Sequence, residues 1–164
     1  EDISGRRAGS GRILVWQRAL VLAADHPLLG VGPNCFYPAY GRYLMEGKFI
    51  GELAPLPGEW APNKWSVAHS AYLTVLAELG LIGFIVYMAF IVKTFRNINS
   101  LPLSHAPENE GTRISFMLSG LKISLIGFLI CSLFLSTAYA PLFYLYFFIS
   151  GNMKRIFSFN QNHE

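Results

Sequence analysis

Three long apolar segments are the feature that most constrains how this chain can fold. Each approaches the roughly 20 apolar residues that a helix needs to cross a bilayer, and they cover about residues 70–92, 114–135 and 139–153. The third is short, so it must tilt, thin the bilayer locally or be extended at its ends. With 52% hydrophobic and 14% charged residues, the 164-residue chain is too apolar for an ordinary soluble domain of its size. The sequence therefore predicts an all-α integral membrane protein whose membrane domain, residues 69–153, holds about three transmembrane helices.

Residues 1–68 are predicted to form a large loop outside the membrane that carries one short amphipathic helix. Apolar residues recur at helical spacing over about residues 11–25, and Pro27 ends the pattern. The apolar stripe consists of Trp16, Ala19, Leu20 and Ala23, whereas Gln17, Arg18 and Asp25 lie off it. This helix is too polar and too short to span a bilayer, so we expect it to lie against the membrane surface or the outer face of the protein. From about residue 28 to residue 65, Gly, Pro and interleaved aromatic residues predict an irregular chain.

The distribution of positive charge predicts the orientation. Basic residues flank the connector between the first two spans and follow the third, in a tail over residues 154–164: Lys93, Arg96, Arg113, Lys154 and Arg155. The positive-inside bias places these clusters in the cytoplasm and residues 1–68 on the outer side. The net charge of +3 is small and the basic residues are scattered, so nothing in the sequence indicates nucleic-acid binding.

The stretch from His69 to Gly83 carries a specific motif. His69 and Ser70 are followed by nine residues and then by Gly80-x-x-Gly83. On an uninterrupted helix both glycines fall within about 40° of the face that carries His69, and such small residues let another helix approach closely. From geometry alone, a purely structural role, as a capped helix start with a seam of small residues for packing, explains the stretch as well as a functional site does. The pattern resembles the signature of the O-antigen ligase and polymerase superfamily.

Two motifs upstream extend the resemblance. Ser10-Gly11-Arg12 followed by Trp16 is similar to the opening of that family's large periplasmic loop, and residues 26–33, closing with Phe36, are similar to its middle. The three motifs cover about the first ninety residues in the family's order and spacing. Because the chain opens without an initiator Met or a signal peptide, we expect it to be the C-terminal portion of a longer membrane protein.

The resemblance implies a metal-independent glycosyltransferase without a cofactor. It implies transfer of a glycan from a polyprenyl diphosphate carrier to an acceptor at the outer face of the bacterial inner membrane, with the active site facing the periplasm. His69 is the candidate general base, because His near neutral pH takes a proton from a hydroxyl. Arg12, with Trp16 beside it, is the candidate for donor binding and catalysis, because the guanidinium fork pairs bidentately with phosphate oxygens. The resemblance also implies that part of the site lies outside this portion, which alone should not turn over.

Several alternatives stay open at this stage. The acceptor could be a glycan, the lipid A-core or a protein, so a repeat-unit polymerase and a protein O-oligosaccharyltransferase share the predicted donor with a ligase. A non-catalytic membrane scaffold or transporter segment would explain the spans but leave the ordered motifs as coincidence. His26 and His69 lack companion metal ligands, and a disulfide between Cys35 and Cys131 is unsupported. Glu78 and Lys122, each about nine residues into a span, have either a functional role or a structural partner.

Overall fold

The computed structural model is all-helical over the residues that it describes, 7–54, 66–100 and 108–161, with side chains over 11–54, 66–100 and 115–152. The helices are α1 (Arg7–Asp25), α2 (Phe36–Met45), α3 (Ala71–Asn99), α4 (Glu108–Ser132) and α5 (Pro141–Gln161), with a short 3₁₀ helix at Gly51–Leu53. The chain divides into two compact units: Glu1–Val86 with Ser132–Ala138, and Tyr87–Cys131 with Tyr139–Glu164. The first unit holds all three sequence motifs.

Two helices in the described part of the chain are long and apolar enough to cross a membrane. These are α3 and the stretch Ser115–Ser132 of α4. The prediction of an all-α chain with apolar spans is confirmed to that extent. The third predicted span coincides with the start of α5, but α5 is not among the two, so its crossing stays a prediction. Helix α4 begins at Glu108, inside the predicted connector between the first two spans, and α5 continues to Gln161, into the predicted tail.

Helix α1 ends at Asp25, as predicted, but it buries a different face. Its buried residues recur at helical spacing and are Val15, Arg18, Ala19, Leu22 and Ala23. The sequence prediction was wrong about two residues, because Leu20 is half exposed and Arg18 is fully buried. The apolar face of α1 packs into a core that also includes Ala68 and Ala77 from the third motif. Helix α1 therefore packs against the protein, which is one of the two predicted alternatives; the other was the membrane surface.

Arg18 is buried because the chain that follows α1 supplies partners for its guanidinium. Its Nε and Nη2 atoms donate to the carbonyl oxygens of Leu53 and Ala54 at 3.0 and 3.1 Å. Nη1 donates to the hydroxyl of Tyr40 at 2.5 Å. The guanidinium carbon lies 5.6 and 5.2 Å from the ring centroids of Tyr40 and Phe49. Hydrogen bonds and cation–π contacts together offset the cost of removing this charge from water.

The prediction of an irregular chain after residue 28 was wrong over α2. The Pro in that helix, Pro38, is in its first turn, where the backbone N–H that Pro lacks has no partner within the helix. Helix α2 buries four large side chains, Phe36, Tyr40, Tyr43 and Leu44. These pack against Phe49 and the buried face of α1. A helix rich in aromatic residues and containing Pro gives a weak signal in sequence, because its helical propensity is low.

Candidate functional site

Helix α3 is broken at Gly80. This residue has φ +65° and ψ −165°, so the predicted uninterrupted helix through residues 70–92 was wrong. In a regular helix the N–H groups of Leu81 and Ile82 would donate to the carbonyl oxygens of Ala77 and Glu78. The break leaves these two donors and two acceptors without partners inside the helix, and buried backbone groups need partners.

The loop over residues 27–32 supplies all four partners. The N–H groups of Leu81 and Ile82 donate to the carbonyl oxygens of Pro27 and Leu28 at 2.8 and 3.3 Å. In return, the carbonyl oxygens of Ala77 and Glu78 accept from the N–H groups of Val31 and Gly32 at 2.9 and 2.8 Å. We call this arrangement of residues 27–32 on residues 77–82 the loop clamp. It joins the second sequence motif to the third.

Two glycines make the loop clamp sterically feasible. Both have left-handed backbone conformations, with φ +66° at Gly30 and +65° at Gly80. A Cβ atom on Gly30 would lie 2.3 Å from the carbonyl carbon of Glu78, and one on Gly80 would lie 2.4 Å from that of Leu28. Because the neighbours are backbone atoms, which cannot rotate away, no other residue fits at either position without displacing the loop.

The carboxylate of Glu78 holds the end of the same loop. It is 3% exposed, and its Oε2 and Oε1 atoms accept from the backbone N–H groups of Asn34 and Phe36, both at 2.9 Å. Phe36 is the first residue of α2, so the carboxylate caps that helix from another part of the chain and meets the positive end of its dipole. The sequence left open whether Glu78 has a functional role or a structural partner. These two hydrogen bonds give it a structural partner.

The break also changes the interpretation of the other motif glycine. Gly83 cannot share one continuous helical face with His69, because Gly80 is not helical and α3 begins only at Ala71. A Cβ on Gly83 would lie 2.2 Å from the Cβ of Leu79 in the preceding turn. The altered path of the helix therefore already requires a small residue there. That another helix packs against Gly80 and Gly83 stays a prediction.

His69 is exposed and lies just before α3. Its φ is +49°, a left-handed conformation that is uncommon outside Gly. The next residue, Ser70, is buried, and its carbonyl oxygen accepts from the N–H and the hydroxyl of Thr74 at 3.0 and 2.8 Å. The preceding residue, Ala68, is 1% exposed within the core. The backbone on both sides of His69 is therefore anchored, while its imidazole is presented at the surface.

Arg12 and Trp16 lie one turn apart on α1. Arg12 is exposed. The ring of Trp16 packs against that of Phe134 with centroids 6.1 Å apart. The indole Nε1 is buried and has no hydrogen-bond partner within the described chain. Arg12 is thus free to meet a ligand in water, whereas Trp16 contributes mainly a packed ring.

A cluster of polar side chains lies where α1 meets α2. The Tyr43 hydroxyl donates to Oδ2 of Asp25 at 3.0 Å and lies 3.1 Å from Nε2 of His26. Burial raises the pKa of Tyr43 to about 12, with further contributions from the hydrogen bond and the charge of Asp25. The phenol therefore stays a donor at neutral pH. The cluster borders a cavity of about 250 Å³ that Arg42 and Cys35 also line.

Within the described ranges, no group of three His, Cys, Asp or Glu side chains lies close enough to hold a metal ion. Cys35 and Cys131 are free thiols. Lys122, whose role the sequence left open, is half-buried on α4.

The structure joins the second and third motifs through backbone hydrogen bonds, and it packs the helix that carries the first motif into the same core. The core that α1 covers includes Ala68, next to His69, so the helix carrying Arg12 and the segment carrying His69 belong to one packed unit. Sequence reasoning missed two residues that build this unit, Arg18 and Tyr43, and left Glu78 undecided. The Gly-rich loop motif was a usable signal, because glycines spaced like Gly30 and Gly32 mark turns or close backbone approach.

Comparison with known protein families gave a match. The family model described as O-antigen ligase matches residues 4–88, which is more than half of the 164 residues. This range includes Arg12, Trp16, the loop clamp and His69. Neither the search of curated proteins nor that of solved structures gave a match.

Proposed function

The chain belongs to the O-antigen ligase family, and on this premise we propose that it transfers a glycan from a polyprenyl diphosphate carrier to an acceptor. The family and the two apolar helices together indicate a membrane protein with glycosyltransferase-like chemistry. Within that frame, the proposed location is the bacterial inner membrane with the site facing the periplasm. The observation that carries the proposal is the exposure of both Arg12 and His69 on the unit that the three motifs build.

The proposed reaction is a direct displacement at the anomeric carbon. The imidazole of His69 takes the proton of an acceptor hydroxyl as its oxygen attacks the anomeric carbon of the donor. The bond from that carbon to the phosphate oxygen breaks, and the lipid diphosphate leaves with the electron pair. A single displacement of this kind inverts the configuration. The anchored backbone around His69 suits the role, because catalysis requires a group held in a fixed position.

Arg12 is proposed to bind the diphosphate and to stabilise its charge as it leaves. An exposed guanidinium pairs bidentately with phosphate oxygens, and its charge supports the leaving group without a metal ion. Trp16 is proposed to line the substrate-binding surface beside it. Ligase, polymerase and protein O-oligosaccharyltransferase activities share this donor chemistry and differ in the acceptor. A non-catalytic scaffold or transporter segment predicts no transfer to any acceptor.

The test of the function is a transfer assay with Arg12 variants of the full-length protein. A lipid-linked glycan is offered with a lipid A-core, a glycan or a protein acceptor. We expect Arg12→Ala to lower transfer by roughly 10- to 150-fold, the equivalent of about 1.5–3 kcal/mol for hydrogen bonds to a charged group. Arg12→Lys should restore only part of this loss, because an ammonium cannot form the bidentate contact.

Arg42 provides the matched control, because it is another exposed Arg of the same unit. Arg42→Ala should transfer at close to the wild-type rate. Equal losses at Arg12 and Arg42 would show a general charge effect and contradict the assignment of Arg12. Absence of transfer to all three acceptors by the wild-type protein would contradict the proposed function itself.

The proposed orientation is tested separately by thiol labelling in intact spheroplasts. Two single-Cys variants are compared in a protein without Cys35 and Cys131. We expect an impermeant maleimide to label Ile50→Cys, which follows α2 outside the spans, and not Ser100→Cys, which follows the cytoplasmic end of α3. Both positions are exposed in the structure, so a difference reports the membrane barrier. The opposite labelling pattern would reverse the proposed topology.

A further inference from the structure

The surface around the break in α3 exposes large apolar side chains. The loop over residues 27–32 exposes Leu28 and Leu29 at its tip, where they are 63% and 73% accessible. The helix that resumes after Gly80 exposes a second set of large apolar side chains: Leu81, Ile82, Ile85 and Val86. We call these six residues the apolar rim. All of them belong to the first compact unit.

The loop clamp holds Leu28 and Leu29 beside the first residues of α3 after the break. The backbone carbonyls of Pro27 and Leu28 accept hydrogen bonds from Leu81 and Ile82. Gly80 approaches the Leu28 backbone so closely that a Cβ atom would overlap it. The loop tip is therefore continuous with the exposed face of the resumed helix.

The character of α3 changes at the same point. Before the break, residues such as Ala71, Val75, Ala77 and Glu78 are at most 3% exposed and pack inside the unit. After the break, the apolar residues of the rim face outward. Residues 81–98 are 18 in number and rise roughly 27 Å as a helix, close to the ~30 Å of a bilayer's hydrocarbon core. Lys93 and Arg96 lie near the end of this stretch, where their charged groups can reach the interface.

We propose that the outer boundary of the bilayer lies at Gly80, and that the Leu28–Leu29 tip is inserted into lipid at this boundary. This rests on the membrane location proposed above. The occupant is lipid, because the rim is continuous with the exposed apolar side of a helix that is long and apolar enough to span. Residues 71–79 then form a helical pillar roughly 14 Å long outside the hydrocarbon core. His69, at its top, stands well clear of the bilayer rather than at its edge.

Spin labels at three positions test the proposal. The variants Leu29→Cys, Ile85→Cys and Ile50→Cys are made in full-length protein with Cys35→Ser and Cys131→Ser, labelled with a nitroxide, and reconstituted in phosphatidylethanolamine–phosphatidylglycerol vesicles. The accessibility of each label to oxygen and to a water-soluble nickel chelate gives its depth. All three side chains are largely exposed in the structure, and Ile50, at 77%, is the water-facing control.

We expect a several-fold higher oxygen-to-nickel ratio at positions 29 and 85 than at position 50, with position 29 the shallower. If 85 reports lipid but 29 reports water, the insertion of the tip is overturned while the membrane location stands. If 29 is shielded from both reagents, protein rather than lipid covers it, and the proposal is equally overturned. If 85 also reports water, the membrane location itself fails. Leu28→Cys repeats the measurement should the Leu29 variant not fold.

Discussion

In the full-length protein we expect His69→Ala to lower the single-turnover transfer rate by about 10²–10⁴-fold, the usual cost of losing a general base. Donor binding should stay close to the wild-type affinity, because the proposed contacts of Arg12 with the diphosphate are untouched. The side chain is exposed, so its removal leaves no cavity in the core. The measurement is the rate of a single turnover with saturating lipid-linked donor, together with donor affinity and Tm of the same preparation.

The backbone of His69 requires a second variant. Its left-handed conformation, with φ +49°, is strained for Ala, so His69→Ala alone could lose stability for a reason unrelated to chemistry. His69→Asn is the matched control, because Asn tolerates this conformation and lacks a group that titrates near neutral pH. We expect both variants to lose the transfer step and His69→Asn to keep the wild-type Tm. A folded His69→Asn protein with a near-normal single-turnover rate would end the general-base assignment.

We expect the substitution of Ala for Gly30 or for Gly80 in the loop clamp to destabilise the protein severely. At Gly30 and Gly80 the substitution combines a positive φ, which costs about 1–3 kcal/mol for a non-Gly residue, with overpacking, which costs typically about 1–3 kcal/mol. Both new Cβ atoms would overlap backbone atoms, so the second cost falls at the upper end or above. We expect a large drop in Tm or loss of folded protein for each, measured by thermal unfolding in detergent.

Gly47 separates the two causes. It has nearly the same φ, +64°, but a Cβ atom there would meet nothing within 4 Å. Gly47→Ala therefore reports the cost of a positive φ without close approach, and the loss should fall well short of that at Gly30 or Gly80. If all three variants lose the same stability, close approach contributes nothing and the clamp is not a tight contact. A Gly80→Ala variant with wild-type Tm would contradict the broken helix itself.

The clamp also explains why the candidate site was only partly predictable. His69, Arg12 and Trp16 were identified by a motif in sequence, and the structure shows the first two exposed. The predicted alignment of Gly80 and Gly83 beneath His69 failed, because angular spacing holds only while the helix is continuous. Nothing local revealed that Gly80 would leave the helical conformation, since an isolated Gly inside an apolar run is also tolerated in spanning helices.

The buried charges show the same limit. Arg18 and Glu78 were judged from the residues beside them, which for Arg18 indicated an exposed position. Their backbone partners lie 35 or more residues away along the chain: Leu53 and Ala54 for Arg18, and Asn34 and Phe36 for Glu78. The side-chain partner of Arg18, Tyr40, lies 22 residues away. Most of these partners are backbone groups, which every residue type carries alike. Residue type therefore does not reveal which groups will be the partners.

By itself, then, the sequence determined what depends on local pattern. Apolar run length indicated two of the spans, helical periodicity located α1 and its end at Asp25, and three ordered motifs indicated the family. Tertiary structure alone decided which face of α1 is buried and that α2 exists. It also decided that α3 breaks at Gly80, where a loop about fifty residues earlier in the chain supplies the missing hydrogen-bond partners. The physical reason is that side-chain pattern reports each residue's preference for water or apolar surroundings, whereas the pairing of backbone groups across the fold depends on which segments meet.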